Sequence, residues 1–447
     1  MDSTPPKNTD RPFTMIDGFS LSLSQGTGIA TYARGVAHAL NAMNHRVGVL
    51  YGRPIERSAP PLLKEVGLYD EVDEDRPMTW SKQAMLNLAP ISSPTLTFDA
   101  DHIPLTGTVV TEQARTRVPE GAEAWNVNSL YDIAHRQFAL WRKFTTVHMP
   151  NPPKVMHWTY PLPVRMAGAK NIYTLHDLVP LRLPYTTLDN KRRYYRMVKQ
   201  IADTADHIVT VSECSKRDIM NLLGVPEHRI TNTYQSVHIP EAMLKPTEQD
   251  IADEVANVYG LGYKEFFLFY GALEPKKNVI RLVQAYLASG VSTPLIIVGP
   301  KAWGTETKAL ALDIENGMYG GRIRRLKYVP LPALITLIRA AKATLFPSLY
   351  EGFGLPVLES MMLGTPVLSS NVSSIPEVAG DGALLVNPYD TNAIRDGIRA
   401  MDSDEGLRSA LTDRGRRQVA YVGLKNYDHA LQAKTEIFQY SPIDRQK

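Results

Sequence analysis

The stretch FPSLYEGFGLPVLE, residues 346–359, combines a strand end, a glycine-containing loop and the start of a helix. The apolar run that ends at Phe346 predicts a buried strand, and Pro356 suits the first turn of a helix, where its missing N–H has no intrahelical partner. Gly352 and Gly354 allow the backbone to approach a ligand closely. The free N–H groups at the helix start favour an anion, so this stretch predicts a diphosphate site.

Two carboxylates, Glu351 and Glu359, flank this predicted anion site. Because a diphosphate repels a carboxylate, each is expected to accept hydrogen bonds from hydroxyl groups instead. We assign Glu351 to a sugar and Glu359 to a ribose. The alternative is that both glutamates lie on a solvated loop and helix.

Length and charge limit the possible functions. The 447 residues predict two domains. The 49 Lys and Arg nearly balance the 46 Asp and Glu, giving +3, so charge offers no argument for nucleic acid as a partner. The single cysteine, Cys214, excludes an internal disulfide. No apolar stretch approaches the ~18 residues of a membrane span. The predicted location is the cytoplasm, with peripheral contact at the inner face of the cell membrane left open.

Strands and amphipathic helices alternate in both halves of the chain, which predicts an α/β fold with two parallel sheets facing across a cleft. The predicted organisation is a disordered tail at 1–11, an N-terminal domain at 12–240, a linker at 241–262, a C-terminal domain at 263–424 and a C-terminal helix at 425–447. Strands are expected at 13–16, 46–51, 171–175, 207–211, 266–271, 294–298, 325–329, 344–346 and 366–368. The segment from Gly52 to Tyr160 gives few clean periodicities.

Three further groups are predicted at the same sheet edges. Gly26 and Gly28 precede a helical pattern and offer a second helix start to an anion, although the spacing is a poor nucleotide fingerprint. His176 follows a predicted strand, where α/β folds place functional groups. Lys276 and Lys277 follow another strand, and a cation there can neutralise a departing diphosphate. Packing glycines, a structural histidine and solvated lysines are the respective alternatives.

The spacing of Glu351 and Glu359, with the wording around them, resembles the E-x7-E arrangement of the retaining glycosyltransferases of family 4, which have the GT-B fold of two Rossmann-like domains. The resemblance implies that Glu351 contacts the donor hexose and that Glu359 contacts the ribose. It also implies that the backbone from Gly352 to Leu355, including Phe353 and Gly354, contacts hexose and phosphates.

The same resemblance assigns the other groups. Gly26 and Gly28 would lie against the donor phosphates or the acceptor, and His176 over the donor sugar. Lys277 matches the family's lysine, whereas Ala272 stands where the family commonly has an arginine, so either Lys276 supplies the second positive charge or the charge is reduced. Tyr328 and Val329 would lie beside the nucleotide base. Residues 235–238, Gln-Ser-Val-His, replace the usual Asn-Gly-Val-Asp and leave the hinge geometry in doubt.

The resemblance implies a hexosyltransferase that retains anomeric configuration, needs no metal or other cofactor, and acts in surface polysaccharide synthesis. The wording is closest to mannosyltransferases, which favours GDP-mannose as the donor and a saccharide or polyprenyl-linked acceptor bound mainly by the N-terminal domain. A UDP- or dTDP-hexose donor, a sugar-nucleotide epimerase and a non-enzymatic binding protein remain alternatives.

Two other signals compete with this interpretation. Asp99 with Asp101, or the acidic run Asp73–Asp75, could hold a divalent metal as an Asp-x-Asp motif does in another glycosyltransferase fold. A metal-dependent single domain would leave the second half of the chain unexplained. The basic, aromatic stretch Lys191–Lys199 could lie on an anionic membrane, or could be a solvated helix face.

Overall fold

The computed structural model describes residues 11–23, 28–70, 95–110, 117–235, 237, 239–299 and 304–439; side chains are described except at residues 305 and 424–439. Within these residues the strands form sheets of eight, six and three strands. The eight-stranded sheet belongs to the N-terminal half of the chain and the six-stranded sheet to the C-terminal half. The predicted α/β class is confirmed.

The N-terminal half contains strands β1 (Phe13–Asp17), β2 (Arg46–Tyr51), β3 (Thr97–Asp99), β4 (Asp101–Ile103), β5 (Glu123–Asn126), β6 (Thr145–His148), β7 (Val155–Trp158), β8 (Val164–Met166), β9 (Lys170–Thr174), β10 (His207–Thr210) and β11 (Ile230–Asn232). Its helices are α1 (Gly28–Ala42), α2 (Pro61–Tyr69), α3 (Leu130–Trp141), α4 (Val179–Arg182), α5 (Lys191–Thr204) and α6 (Glu213–Leu223). The large sheet has the order β11-β10-β9-β7-β1-β2-β5-β4. All strand pairs in this sheet are parallel except β4 with β5. Strands β3, β6 and β8 form the small sheet.

Two short helices connect the halves, α7 (Glu241–Leu244) and α8 (Glu248–Tyr259). A capping box starts α8, since Thr247 and Asp250 each accept a hydrogen bond from the other's backbone N–H. Ile251 and Val255 of α8 pack in one core with Leu268 and Leu337 of the C-terminal half. The segment predicted as a linker therefore carries a helix that packs against the C-terminal sheet.

The C-terminal half contains strands β12 (Phe267–Tyr270), β13 (Leu295–Val298), β14 (Ile323–Leu326), β15 (Ala343–Phe346), β16 (Val367–Ser370) and β17 (Ala383–Val386). Its helices are α9 (Val279–Ser289), α10 (Thr305–Glu315), α11 (Leu331–Ala340), α12 (Leu355–Met362), α13 (Ile375–Ala379), α14 (Thr391–Ser403) and α15 (Glu405–Gln439). The all-parallel order β14-β13-β12-β15-β16-β17 is the Rossmann order. Strands β12, β13, β15 and β16 are buried throughout, as expected when helices cover both faces.

One predicted strand differs clearly in its bounds. The segment 325–329 was expected to be a strand, whereas β14 covers Ile323–Leu326. Leu326 pairs with Val298, the last residue of β13, so residues after Leu326 have no partner strand on that side. Pro330 then directly precedes α11. Tyr328 and Val329 consequently lie in a loop beyond the strand.

The last helix, α15, is continuous from Glu405 to Gln439 and begins well before the C-terminal helix predicted at residue 425. It packs first on the C-terminal half, where Leu411 joins the core. Further along, Val422 packs in a cluster with Val211 and Tyr234 of the N-terminal half. This helix therefore touches both halves of the molecule.

Candidate functional site

The loop between β15 and α12 lies at the carboxyl edge of the C-terminal sheet, between the two halves. Gly354 occupies the position before α12 with φ +102°, and a Cβ there would lie 2.6 Å from Ile375 Cδ1. Only glycine meets both constraints without strain. Pro356 lies in the first turn of α12, as predicted. The predicted strand, loop and helix are therefore present.

Lys277 and Glu351 form an ion pair beside this loop. Lys277 Nζ lies 2.7 Å from Glu351 Oε1 and 2.9 Å from Oε2, and both side chains are largely buried. A short 3-10 turn, Pro275–Lys277, delivers the lysine. Asn278 then fixes this turn to the loop, because its Nδ2 donates to Pro347 O at 2.9 Å. Two of the predicted catalytic residues are thus in direct contact.

Lys276 points toward the N-terminal half. Burial acts to lower its pKa, but the carboxylates of Asp177, Glu351 and Glu274 outweigh burial and hold the pKa well above its usual value. Its Nζ lies 3.7 Å from Glu274 Oε2. Lys276 is therefore a permanent cation at the boundary between the two sheets.

Glu359 lies in α12, one turn after Pro356, and is half-buried. Burial raises the pKa of its carboxyl group, while the Tyr270 hydroxyl and Lys277 oppose that rise. The Tyr270 hydroxyl lies 3.1 Å from Glu359 Oε2 and 2.8 Å from Pro356 O. Tyr270 at the end of β12 therefore holds both the helix start and the second carboxylate of the motif.

His176 follows β9, across the boundary from Glu351. Its Nε2 lies 2.9 Å from Thr159 O, which can only accept, so Nε2 carries the hydrogen. Nδ1 then accepts from Gln235 Nε2 at 3.1 Å. Burial lowers the pKa of the imidazole, with the Thr159 hydrogen bond and Asp177 acting in the opposite direction. His176 is therefore a neutral ring of fixed tautomer.

Gln235 is one of the residues at which the chain departs from the family pattern. The structure shows what the departure supplies here, namely the donor that fixes the His176 ring. Ser236 and His238 of the same segment lie outside the described residues. The orienting contact could not be inferred from the sequence because the two residues are 59 positions apart.

The two halves meet closely at Gly352. Its carbonyl oxygen accepts a hydrogen bond from Ser212 Oγ at 2.7 Å, and a Cβ on residue 352 would lie 2.6 Å from His176 O. Ser212 Oγ also accepts a hydrogen bond from Ser215 N at 3.0 Å and so caps α6. Ser215 Oγ lies 2.8 Å from His176 O. The loop of Glu351 is thereby fixed against the strand end that carries His176.

Glu377 joins the two halves, a role that the sequence did not reveal. It lies in α13 of the C-terminal half, and its carboxylate accepts from Glu213 N at 2.8 Å and Cys214 N at 3.2 Å in the N-terminal half. These are the first free N–H groups of α6, which favour an anion. Its partners are more than 160 positions away in sequence, so no local pattern signals the contact.

The remaining predicted donor residues are more dispersed. Gly28 begins α1, where a Cβ would lie 3.2 Å from Leu355 Cδ1, so the α1 start does approach the α12 start. Phe353 is buried in the cluster that joins the halves. Tyr328 is 71% exposed, and Val329 packs partly against a core of the C-terminal half. Gly26 lies outside the described residues, as do residues 300–303.

The competing metal motifs have a different environment. Arg57 Nε lies 2.9 Å from Asp101 Oδ1, and Arg57 Nη1 lies 3.8 Å from Asp99 Oδ2. Asp99 ends β3 and Asp101 begins β4, so both belong to the N-terminal half, whereas the Glu351 loop belongs to the C-terminal half. Among the described residues, no group of three His, Cys, Asp or Glu side chains is placed to hold a metal ion. Asp73–Asp75 lies outside that part of the chain.

Comparison with known proteins gives matches to both halves. A model described as Glycosyl transferase 4-like domain matches residues 27–233, and one described as Glycosyl transferases group 1 matches residues 254–418. Similar solved structures include sucrose-phosphate synthase from Thermosynechococcus elongatus (TM-score 0.64, 16% identity, covering 96% of this chain and 100% of that one). Anabaena HepE in complex with UDP and glucose gives a TM-score of 0.62 at 14% identity, covering 95% and 100%.

Several curated relatives are similar in sequence. O-antigen chain mannosyltransferase B of Escherichia coli is 37% identical over 273 residues, which cover 59% of this chain and 69% of that protein. The MMP alpha-(1->4)-mannosyltransferase of Mycolicibacterium hassiacum is 43% identical over 242 residues, covering 52% and 54%. The serotype-specific mannosyltransferase WbdA of Escherichia coli is 27% identical over 291 residues, and the match spans 64% of this chain and 36% of that protein.

The fold, the paired glutamates after β15 and the two family matches all indicate the same family. The chain belongs to the GT-B glycosyltransferases, with a family 4-like N-terminal half and a group 1 C-terminal half.

Proposed function

We propose that the protein transfers mannose from GDP-mannose, with retention of configuration, to a saccharide acceptor in surface polysaccharide synthesis. The observation that carries the proposal is the meeting of the Lys277–Glu351 pair, the α12 start and His176 at one boundary. The mannosyltransferase names of relatives that match more than half of this chain support the choice of mannose. The choice of GDP rests on the resemblance of the motif sequences to those of mannosyltransferases.

In the proposed reaction the bond between the anomeric carbon and the diphosphate oxygen breaks, and a bond from that carbon to an acceptor oxygen forms on the same face. The acceptor proton passes to the departing diphosphate oxygen. Glu351, which is paired with Lys277, is assigned to a hydroxyl of the donor sugar rather than to its anomeric carbon. No covalent intermediate on the protein is therefore proposed.

Each residue has a role in this scheme. Lys277, Lys276 and the N–H groups at the start of α12 stabilise charge on the diphosphate. Glu351 accepts a hydrogen bond from a hydroxyl of the donor sugar when Lys277 also contacts the diphosphate. Glu359 accepts a hydrogen bond from the ribose. His176 presents a fixed, uncharged edge to the donor sugar. Gly28, Gly352, Phe353, Gly354 and Leu355 shape the phosphate and hexose subsites, and Tyr328 and Val329 flank the base.

A nucleotide-sugar panel tests the donor. GDP-mannose, UDP-glucose, UDP-galactose and dTDP-glucose are each added to the full chain, and the shift in melting temperature is measured; a ligand at 100 times its Kd stabilises by about 2.7 kcal/mol. The largest shift is expected with GDP-mannose. NMR of the product then reports the anomeric configuration. Release of free sugar and nucleotide without any acceptor would indicate an epimerase instead.

The proposed chemistry needs no metal, because lysines and a helix start handle the leaving-group charge. Transfer is therefore expected to continue at an unchanged rate in EDTA. Complete loss of transfer in EDTA, restored by manganese, would contradict this and favour Asp99 and Asp101. The same assay without EDTA provides the reference rate.

We place the reaction in the cytoplasm with peripheral contact to an anionic membrane through α5. Arg192, Arg193, Tyr195 and Arg196 of this helix are exposed, and Leu188 just before it is 83% exposed. Basic and apolar side chains together suit such a surface. Within the part of the chain that the structure describes, no helix has the length and apolar character to cross a bilayer. Co-sedimentation with phosphatidylglycerol but not phosphatidylcholine vesicles tests this contact.

A further inference from the structure

A cleft of about 410 Å³ opens next to the proposed donor site. His176 and Asp177, after β9, form one wall, and Glu274 and Lys276, after β12, form another. The cleft then extends into the N-terminal half, away from Glu351, Lys277 and Glu359, none of which lines it. Its volume falls within the range of about 300–1,000 Å³ that is typical of small-molecule sites.

Much of the lining is apolar or aromatic. Tyr160 and Tyr194 contribute rings, accompanied by prolines and aliphatic side chains. The Tyr160 ring is held in place by stacking on Phe19, with ring centroids 5.1 Å apart and planes 18° apart. The Tyr194 hydroxyl donates to Asp177 O at 3.2 Å. Immobilised rings next to hydrogen-bonding groups suit a sugar, which has apolar C–H faces and a rim of hydroxyls.

Among the described residues, the charge of the lining is negative. Asp177, Asp189 and Glu274 contribute three carboxylates, and Lys276 contributes one ammonium group. The lysine is partly neutralised by Glu274, 3.7 Å away. The pKa of Tyr160 is consistent with this negative charge. Burial raises that pKa to about 12, the carboxylates of Asp189 and Asp177 raise it further, and Lys276 acts in the opposite direction. Carboxylates accept hydrogen bonds from sugar hydroxyls but repel a phosphate.

We propose that this cleft, on the side of the N-terminal half to which the family resemblance assigns the acceptor, selects an uncharged sugar residue over a phosphorylated one. The proposal rests on the proposed glycosyl transfer and adds the class of acceptor. His176 and Lys276 line the cleft at its donor end, so an acceptor hydroxyl bound there faces the donor site. Asp189, exposed at the rim, acts as a specificity residue because it contributes negative charge without contacting the donor residues.

Binding of two probe sugars to the full-length protein with GDP present tests the proposal without requiring turnover. The probes are methyl α-D-mannopyranoside and mannose 6-phosphate, and their Kd values are measured by NMR titration. The neutral glycoside is expected to bind at least about tenfold more tightly, a difference of about 1.4 kcal/mol. Asp189→Lys should reduce that ratio to near one, and Asp189→Asn should reduce it partly.

The charge-matched control is Glu241→Lys, at an exposed position of α7 outside the cleft, which should leave the ratio unchanged. Equal or tighter binding of mannose 6-phosphate, binding of neither probe, or an unchanged ratio in Asp189→Lys would each overturn the proposal. Failure of the proposed function is separate, since it would be seen as the absence of any stabilisation in the nucleotide-sugar panel.

Discussion

In the proposed reaction Lys277 and Glu351 act at the reacting sugar, whereas Glu359 lies a helical turn into α12 beside Tyr270. Substitution of the two glutamates should therefore affect different steps. Glu351→Ala is expected mainly to depress the transfer rate, because it removes the sugar contact and leaves Lys277 without its partner. Glu359→Ala should mainly weaken nucleotide binding, by about 1–3 kcal/mol for a lost buried hydrogen-bonding group.

Calorimetric titration with GDP and a transfer assay separate these two effects. Glu227→Ala is a suitable control, because this glutamate is exposed and paired only with Lys216 among the contacts described for it. If the wild type, Glu351→Ala and Glu359→Ala bind GDP equally well, the assignment of Glu359 to the ribose is wrong.

Asp17 connects a buried charge to the His176 network. Its carboxylate is completely buried at the end of β1 and accepts from Thr159 Oγ1 at 2.8 Å and from Thr159 N. Thr159 O in turn accepts from His176 Nε2. Burial raises the pKa of Asp17 to about 6, although hydrogen bonds from Thr159 and Phe19 oppose the rise.

The sign of the pH effect follows from this shift. Between the ordinary Asp pKa of 3.8 and the raised pKa of about 6, the folded protein keeps the Asp17 proton that the unfolded chain loses, so the protein loses stability as pH rises through this window. Between pH 5 and 7.5, this residue should cost about 1 kcal/mol of unfolding free energy. Asp17→Asn should remove that component. Urea unfolding of both proteins at the two pH values checks this; an identical pH dependence would contradict it.

Individual site residues were predictable where the chemistry is local. Glu351, Lys277 and Gly354 were indicated by their position after predicted strands, and the structure places all three at one sheet edge. Gln235 and Glu377 were not, because each acts on a partner that only folding brings near. Tyr32 of α1 is similar: its ring lies edge-on to the His176 ring, with centroids 4.9 Å apart.

At the scale of elements, the loop between β15 and α12 can approach the N-terminal half closely because it carries no side chain at residue 352. A Cβ there would lie 2.6 Å from His176 O, a backbone atom that cannot rotate away. Gly352→Ala should therefore push this loop from the N-terminal half and lower transfer by at least about tenfold, while GDP binding is retained. Steady-state kinetics and GDP titration measure the two quantities.

Gly423→Ala is the matched control, because nothing lies within 4 Å of a Cβ at that position. The control should behave as the wild type does in both measurements. Full transfer activity in Gly352→Ala would show that the close approach of the loop to His176 is unnecessary for the reaction.

Element prediction succeeded where burial gives long apolar runs, as in β12, β13 and β15. It failed between residues 52 and 160 for a physical reason. Strands β3 and β4 have only three residues each, so neither alternation nor a continuous apolar run can be recognised. Their burial is also incomplete, and β4 is antiparallel to β5 at the sheet edge. Such strands are defined by their neighbours rather than by their own sequence.

At the scale of the molecule, polar and apolar contacts hold the two halves together around the site. Glu377 binds the start of α6, and the Tyr350 hydroxyl donates to Asp218 of the same helix. An apolar cluster lies beside these contacts and consists of Val211, Tyr234, Phe353, Leu358, Val378 and Val422. These contacts hold the loop of Glu351 against the strand end that carries His176.

Val422 is the buried residue through which α15 joins this cluster, so its substitution tests the helix as a second connection between the halves. Val422→Asp would place a carboxylate among buried apolar side chains, which costs about 2–4 kcal/mol unless the contact opens. Opening separates Glu351 from His176. Transfer should therefore fall by at least about tenfold, whereas GDP binding, which we assign to the C-terminal half, should persist.

The control is Val258→Asp, because Val258 lies on α8 and is 64% exposed. Truncation after Gly423 removes the rest of α15 but keeps Val422, and separates the contribution of this contact from that of the helix end. Small-angle scattering should show a larger radius of gyration for Val422→Asp than for Val258→Asp. Equal transfer rates in these two variants would mean that the cluster does not control closure, and that the α6 contacts of Glu377 and Tyr350 suffice to bring the halves together.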